Sequence, residues 1–185
     1  MGLLDQILDA QGGAQLQQLA GKFGVSEGQA KNALEQMLPA LSQGIKKNAT
    51  APGGLDALMA ALQGGNHQRY LEDPQELQRP EAIADGNNIL GHILGSKDVS
   101  RQVAARTAEK TGLDTGILKQ MLPMVAAMTM GALSKQASAT GALGQLQGGA
   151  SSGASVAGSL LSLLDFDKDG SVVDDLIGLA KKFFQ

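Results

Sequence analysis

Five aspartates crowd an eleven-residue stretch near the end of the chain, and no other part of the sequence concentrates reactive side chains in this way. The stretch, residues 165–175, reads DFDKDGSVVDD. Asp165, Asp167 and Asp169 stand at alternating positions, and Gly170 follows where a tight loop has to turn. Carboxylates spaced like this converge on one point, and Ca²⁺ takes about six to eight oxygen ligands. The stretch therefore predicts a calcium site.

The order of residues matches an EF-hand-type loop in its first half and departs from it in its second half. Ser171 would offer its backbone carbonyl, but the twelfth position, where a Glu normally binds with both oxygens, is Leu176. Either the loop is shortened or an Asp with a shorter reach closes it, and the missing Glu predicts weak binding, toward the micromolar-to-millimolar range. The predicted metal ligands are Asp165, Asp167, Asp169, Ser171, Asp174 and Asp175.

The alternative for this acidic stretch is a solvated turn without a metal. Asp174 and Asp175 would then lie in the first turn of the following helix, where the macrodipole favours negative charge. Five carboxylates beside one lysine repel each other strongly unless a cation lies among them, however, and apolar segments flank the stretch on both sides. We therefore favour the metal site.

The charge balance and the chemical repertoire exclude several classes of function. The chain has 15 Lys and Arg against 18 Asp and Glu. Residues 165–175 contribute 1 − 5 = −4, so the remainder carries 14 − 13 = +1. A nearly neutral scaffold lacks the basic patch that nucleic acids or anionic membranes require. With no cysteine, two histidines and no nucleophile or phosphate-loop motif, the sequence predicts a protein that is not an enzyme.

The N-terminus has neither a basic region nor an uninterrupted apolar core, so no secretory signal is predicted. This favours the cytoplasm, whereas a weak calcium site would suit calcium-rich surroundings outside it. Both alternatives stay open.

Apolar periodicity and glycine or proline stops predict an all-α protein. Ser26, Ser100 and Asp114 are expected N-caps, and residues 66–86 are expected to form a polar surface connection with about one helical turn. The predicted organisation is a scaffold over 1–135, a linker over 136–153 and a helix–loop–helix hand over 154–185. The predicted scaffold helices cover 3–10, 14–23, 27–48, 55–62, 89–94, 100–110 and 115–134.

The scaffold contains a degenerate internal repeat. LKQMLP at 118–123 differs at one position from LEQMLP at 34–39, and each motif follows a glycine–apolar–cap triplet, Gly24–Ser26 or Gly112–Asp114. Proline inside a helix is uncommon, so chance resemblance is a poor explanation. We interpret residues 2–50 and 87–135 as two copies of one unit that ends in a long helix containing a proline.

The second proline helix is apolar nearly all round from Met121 to Leu133. Such a helix is either central to a fold or part of a partner interface. Its four methionines suit core filling better than promiscuous binding, because aromatic residues are only 3% of the chain. The uncharged run is too short to cross a bilayer. A lone hand and this helix together favour a homo-oligomer or a protein partner.

The alternative function is nucleic-acid binding through residues 19–34, which read like a helix-turn-helix. Gln29, Lys31 and Asn32 would be the exposed reading residues, but Glu27 and Glu35 flank them and no arginine is present. Because phosphate contacts dominate affinity, the missing charge argues against this function.

With these features in view, the chain resembles the YidB-like bacterial proteins, a family labelled as a domain of unknown function. The resemblance covers most of residues 1–135 and the acidic tail. It implies an all-helical bacterial protein, often with a similar tail, and implies no activity. The matching segments are FGVS at 23–26, QMLPAL at 36–41, GNNILGHILG at 86–95, QMLP at 120–123 and the stretch 165–175.

Overall fold

The computed structural model describes residues 3–139, and every regular element in that range is helical. Short 3₁₀ segments at Ala10–Gly13 and Pro74–Gln78 join some of the helices. The all-α prediction is therefore confirmed for the scaffold. The α-helices are α1 Leu3–Asp9, α2 Ala14–Phe23, α3 Glu27–Ala49, α4 Gly54–Gly64, α5 Arg69–Glu72, α6 Pro80–Leu94, α7 Lys97–Thr111 and α8 Thr115–Ala139.

Helix α8 is the centre of the fold and packs against every other α-helix. From Met121 to Ser134 each of its residues is buried. Of the two explanations for this apolar segment, the structure supports the central helix, since the chain's own core covers it on all sides. The methionines on α8 are core residues, as the low aromatic content predicted.

Helix α8 is also long and apolar enough to cross a membrane by those two criteria alone. Its uncharged run is short, but the helix as a whole extends to Ala139 and is 25 residues long. In the most hydrophobic window, 78% of the residues are buried among the other helices. A core helix passes the same test, and this burial identifies α8 as one.

Local capping chemistry sets most of the helix ends where the sequence placed them. Gly24 and Gly112 adopt left-handed conformations (φ 64° and 72°) and end α2 and α7. The Ser26 and Asp114 side chains accept hydrogen bonds from the first turns of α3 and α8. Both long helices continue through their internal prolines.

The segment 66–86 is the main correction to the sequence analysis, because it is not a surface connection. It contains α5 and the Pro74–Gln78 turn, and α6 begins at Pro80 rather than near residue 89. Proline is favourable in the first turn of a helix, where its missing N–H is not needed. Tyr70, Leu71 and Leu77 are buried within the segment and attach it to the core.

A second, smaller correction concerns the start of α7. Ser96 caps this helix by accepting a hydrogen bond from the Val99 N–H at 3.3 Å, so the helix begins one turn before the expected cap, Ser100. Ser100 instead donates its hydroxyl proton to the Ser96 carbonyl.

The crossing of α6 and α8 depends on Gly86. A Cβ atom at this position would lie 2.8 Å from Pro123 Cα and closer still to the Pro123 carbonyl group. Real Cβ atoms do not approach backbone this closely, so only glycine permits the contact. Gly86, which was expected to end the surface connection, is therefore a packing residue inside α6.

Candidate functional site

The predicted calcium ligands, from Asp165 to Asp175, lie outside the described residues, as do the linker from residue 140 onward and the helices of the hand. Within residues 3–139, no group of three or more His, Asp or Glu side chains is placed to hold a metal ion. The calcium site thus stays a prediction.

A groove lies between α3 and α7 in the described region. It has a volume of about 650 Å³ and is closed at one side by the C-terminal end of α6. Ile93, Leu94 and Val103 give it an apolar floor. Val99 also lines it and is the exposed large hydrophobic residue of segment 3–139, with 39% of its surface accessible. We call this cavity the α3/α7 groove.

Positive charge surrounds the α3/α7 groove. Lys47 on α3 and Arg106 and Lys110 on α7 line it and are exposed, and Glu109 is the one acidic residue among the lining residues. The lining charge is therefore 3 − 1 = +2. No ion pair within segment 3–139 involves any of the three cations. An apolar floor with unpaired cations at its edge is suited to an acidic, amphipathic segment.

At one side of the groove, α3 approaches the end of α6 closely. At Gly44, a Cβ atom would lie 2.7 Å from the Ile93 carbonyl oxygen, so glycine lets the two backbones touch. One turn further on, the Asn48 amide donates to the carbonyl oxygens of His92 at 2.7 Å and Ile93 at 3.0 Å. These bonds satisfy carbonyls that the helix end leaves free and fix the floor residues against α3. The His92 side chain itself is exposed.

The second polar cluster joins the segment 66–80 to α6. The Tyr70 hydroxyl donates to the Asp85 carboxylate, and Arg69 donates to both the Tyr70 oxygen and Asp85 at 2.7 and 2.9 Å. Burial, followed by the hydrogen bond to Asp85, raises the pKa of Tyr70 to about 12. A phenol with this pKa keeps its proton at neutral pH, so its hydroxyl can donate to Asp85 and tie α5 to α6.

The same cluster bears on His67, the other histidine of the chain. Burial lowers the pKa of the His67 imidazole from its ordinary value, with the nearby Asp85 acting in the opposite direction. The ring lies 6.4 Å from that of Tyr70. A neutral imidazole here packs beside the tyrosine, which agrees with a structural role.

The helix-turn-helix alternative loses one of its reading residues in the structure. The Gln29 side-chain oxygen accepts from the Ser26 backbone N–H at 2.9 Å, while the Gln29 backbone N–H donates to the Ser26 hydroxyl at 3.2 Å. This reciprocal capping box ties Gln29 to the start of α3. Lys31 and Asn32 are exposed. The turn is thus accounted for by helix capping.

Comparison with protein families decides what the chain is related to. A family model described as bacterial protein of unknown function (DUF937) matches residues 5–136. The chain belongs to this family. Comparisons with curated proteins and with solved structures gave no match. The family match covers α1 to nearly the end of α8, so it coincides with the described helices, and the α3/α7 groove lies within the family domain.

Proposed function

We propose that this family member is a non-enzymatic interaction protein that binds calcium through residues 165–175. The observation that carries the proposal is the alternation Asp165, Asp167, Asp169 followed at once by Gly170. This pattern supplies carboxylate oxygens and the sharp turn that a calcium loop needs. The α3/α7 groove supports the interaction part of the proposal, because its charge and its exposed valine suit a partner segment.

The proposal includes the EF-hand-like arrangement of residues 154–185 and self-association. Leu160, Leu161 and Leu164 on one side of the loop would face Leu176 and Phe183 on the other. A lone hand leaves one flank unpaired, so a hand from another copy would complete it. Helix α8 does not support self-association, because its apolar surface is buried in its own core.

We also infer that the scaffold arose by duplication, with α2–α3 and α7–α8 as corresponding pairs. In each pair a left-handed glycine ends the first helix, a polar side chain caps the second, and the second helix continues through a proline. These shared features support common ancestry of the two pairs.

Calorimetric titration of calcium into the full chain tests the calcium proposal. We expect the native protein to bind one calcium ion per chain with micromolar-to-millimolar affinity, because the closing Glu is replaced. The double substitution Asp165→Asn/Asp169→Asn removes two ligand charges at nearly unchanged volume and is expected to weaken binding by more than about 100-fold.

The matched control is Asp9→Asn/Asp56→Asn, which removes the same charge from two exposed scaffold aspartates. It is expected to bind calcium like the native chain. If the native chain gives no binding heat at millimolar calcium, or if both double variants lose binding equally, the aspartates at 165–169 do not form the site.

Nucleic-acid binding is the weaker alternative. It is weakened further because Gln29, one of the proposed reading residues, takes part in the capping box at the start of α3. An electrophoretic shift with mixed-sequence DNA that vanishes at moderate salt would raise it again.

A further inference from the structure

We propose that the α3/α7 groove holds the chain's own segment 154–169 when calcium is absent. The apolar residues Leu160, Leu161 and Leu164 would cover the apolar floor, and the carboxylates of Asp165 and Asp167 would meet the groove's cations. The calcium proposal involves the same aspartates. The docking proposed here does not depend on calcium binding.

Charge and pattern are complementary between the groove and the segment. The groove lining carries +2, and residues 154–169 carry 1 − 3 = −2. The acidic residues come directly after the leucines, just as the cations of the groove border its apolar floor. Unpaired cations at the edge of a groove attract such a segment and fix its register.

The length of the groove matches the length of the predicted helix 154–164. The groove follows α3 from Gln36 to Lys47, eleven helical steps or about 16 Å. The predicted helix 154–164 has eleven residues and would also be about 16 Å long. One helix of this length can therefore lie along the whole groove, in the helix-in-groove mode of peptide recognition.

The residues between α8 and the docking segment, which we call the tether, are numerous enough for the segment to reach the groove. Helix α8 ends at Ala139, and residues 140–153 precede the docking segment. Fourteen residues extend to at most about 46 Å, which exceeds the roughly 37 Å length of α8, the longest helix of the described residues. A tether of this kind also gives the segment an effective concentration of about a millimolar, which favours it over a second copy.

Calcium and the groove would compete for Asp165 and Asp167. A carboxylate that coordinates calcium contributes no net attraction to Lys47, Arg106 or Lys110. If the proposed calcium site is correct, calcium therefore releases the segment from the groove.

Double electron–electron resonance between two spin labels on the full chain tests the docking. The chain has no cysteine, so Ala105→Cys and Ser162→Cys introduce two spin labels without background. Ala105 is exposed on α7 and does not line the groove. In chelator and low salt, we expect a narrow distance distribution centred below about 25 Å, roughly two helix diameters.

Charge reversal locates the docking site. Arg106→Glu/Lys110→Glu is expected to reduce the docked fraction at least about tenfold relative to the free one, and Asp165→Lys/Asp167→Lys is expected to restore it in that background. The matched control, Lys31→Glu/Lys119→Glu, reverses two exposed lysines away from the groove and is expected to change nothing.

Three results would overturn the inference. A broad distribution in the native background means that the segment does not dock. A narrow one that ignores the Arg106 and Lys110 reversals places the segment elsewhere. A short distance that disappears when labelled protein is diluted with unlabelled protein means that the occupant comes from a second copy. Adding calcium then tests the competition separately: docking that persists contradicts the proposed calcium site and leaves the groove assignment standing.

Discussion

Gly86→Ala is expected to lower the free energy of unfolding by about 3 kcal/mol, because a methyl group has no room at the α6–α8 crossing. The new Cβ would lie 2.8 Å from Pro123 Cα and would overlap the Pro123 carbonyl. The obstructing atoms are backbone in the middle of the core helix, so no side-chain rotation can relieve the clash. Urea denaturation followed by circular dichroism measures the loss.

Gly91→Ala is the matched control, since Gly91 lies in the same helix with nothing within 4 Å of its would-be Cβ. Alanine is a better helix former than glycine, so this variant is expected to gain about 0.5–1 kcal/mol. The two substitutions are chemically identical and should have opposite signs. Equal effects would show that helix propensity, and not the crossing, governs both sites.

Met124→Ala is expected to destabilise the protein by about 3 kcal/mol, because Met124 is fully buried in α8 and its loss leaves a cavity. The unfolding midpoint should not depend on protein concentration, since the covering side chains belong to the same chain. If the methionines instead formed a partner interface, the variant would fold normally and its oligomeric state would change. Denaturation at two protein concentrations, combined with light scattering, separates these results.

Lys119→Ala provides the control on the same helix. Lys119 is exposed, and its removal is expected to change stability by less than about 0.5 kcal/mol. A large effect at Lys119 together with a small one at Met124 would contradict the central position of α8.

Features that depend on a few neighbouring residues were predictable from the sequence. The ends of α2 and α7 follow from Gly24 and Gly112, which adopt the left-handed conformation that other residues avoid. The start of α3 follows from Ser26, and the structure adds Gln29 as its partner in the capping box. The buried character of α8 followed from its lack of a polar face.

Features that depend on tertiary contacts were not predictable in the same way. The sequence of residues 66–86 is mostly polar, but Tyr70 and Leu77 are spaced so that they reach the core from short turns. Prolines suggested a connection, whereas Pro80 starts a helix. Gly86 has the sequence signature of a turn, and only the proximity of Pro123 explains it as a packing residue.

The α3/α7 groove could not be predicted because its lining comes from three segments that are far apart in sequence. Lys47 and Arg106 line the same groove only because α3, α6 and α7 pack together, and neither residue belongs to a recognisable sequence motif. The sequence does not distinguish Val99 from the other valines and leucines, and its exposure is evident only from the fold. The acidic stretch shows the opposite situation, since its proposed chemistry follows from spacing within eleven residues.

The most direct test of the account is a crystal structure of the full chain grown with calcium, with anomalous scattering used to locate the ion. We expect one calcium ion coordinated by carboxylate oxygens of Asp165, Asp167 and Asp169 at about 2.3–2.6 Å, with Asp174 or Asp175 completing the shell. Aspartates that point into solvent around no ion, in crystals containing millimolar calcium, would contradict the central claim.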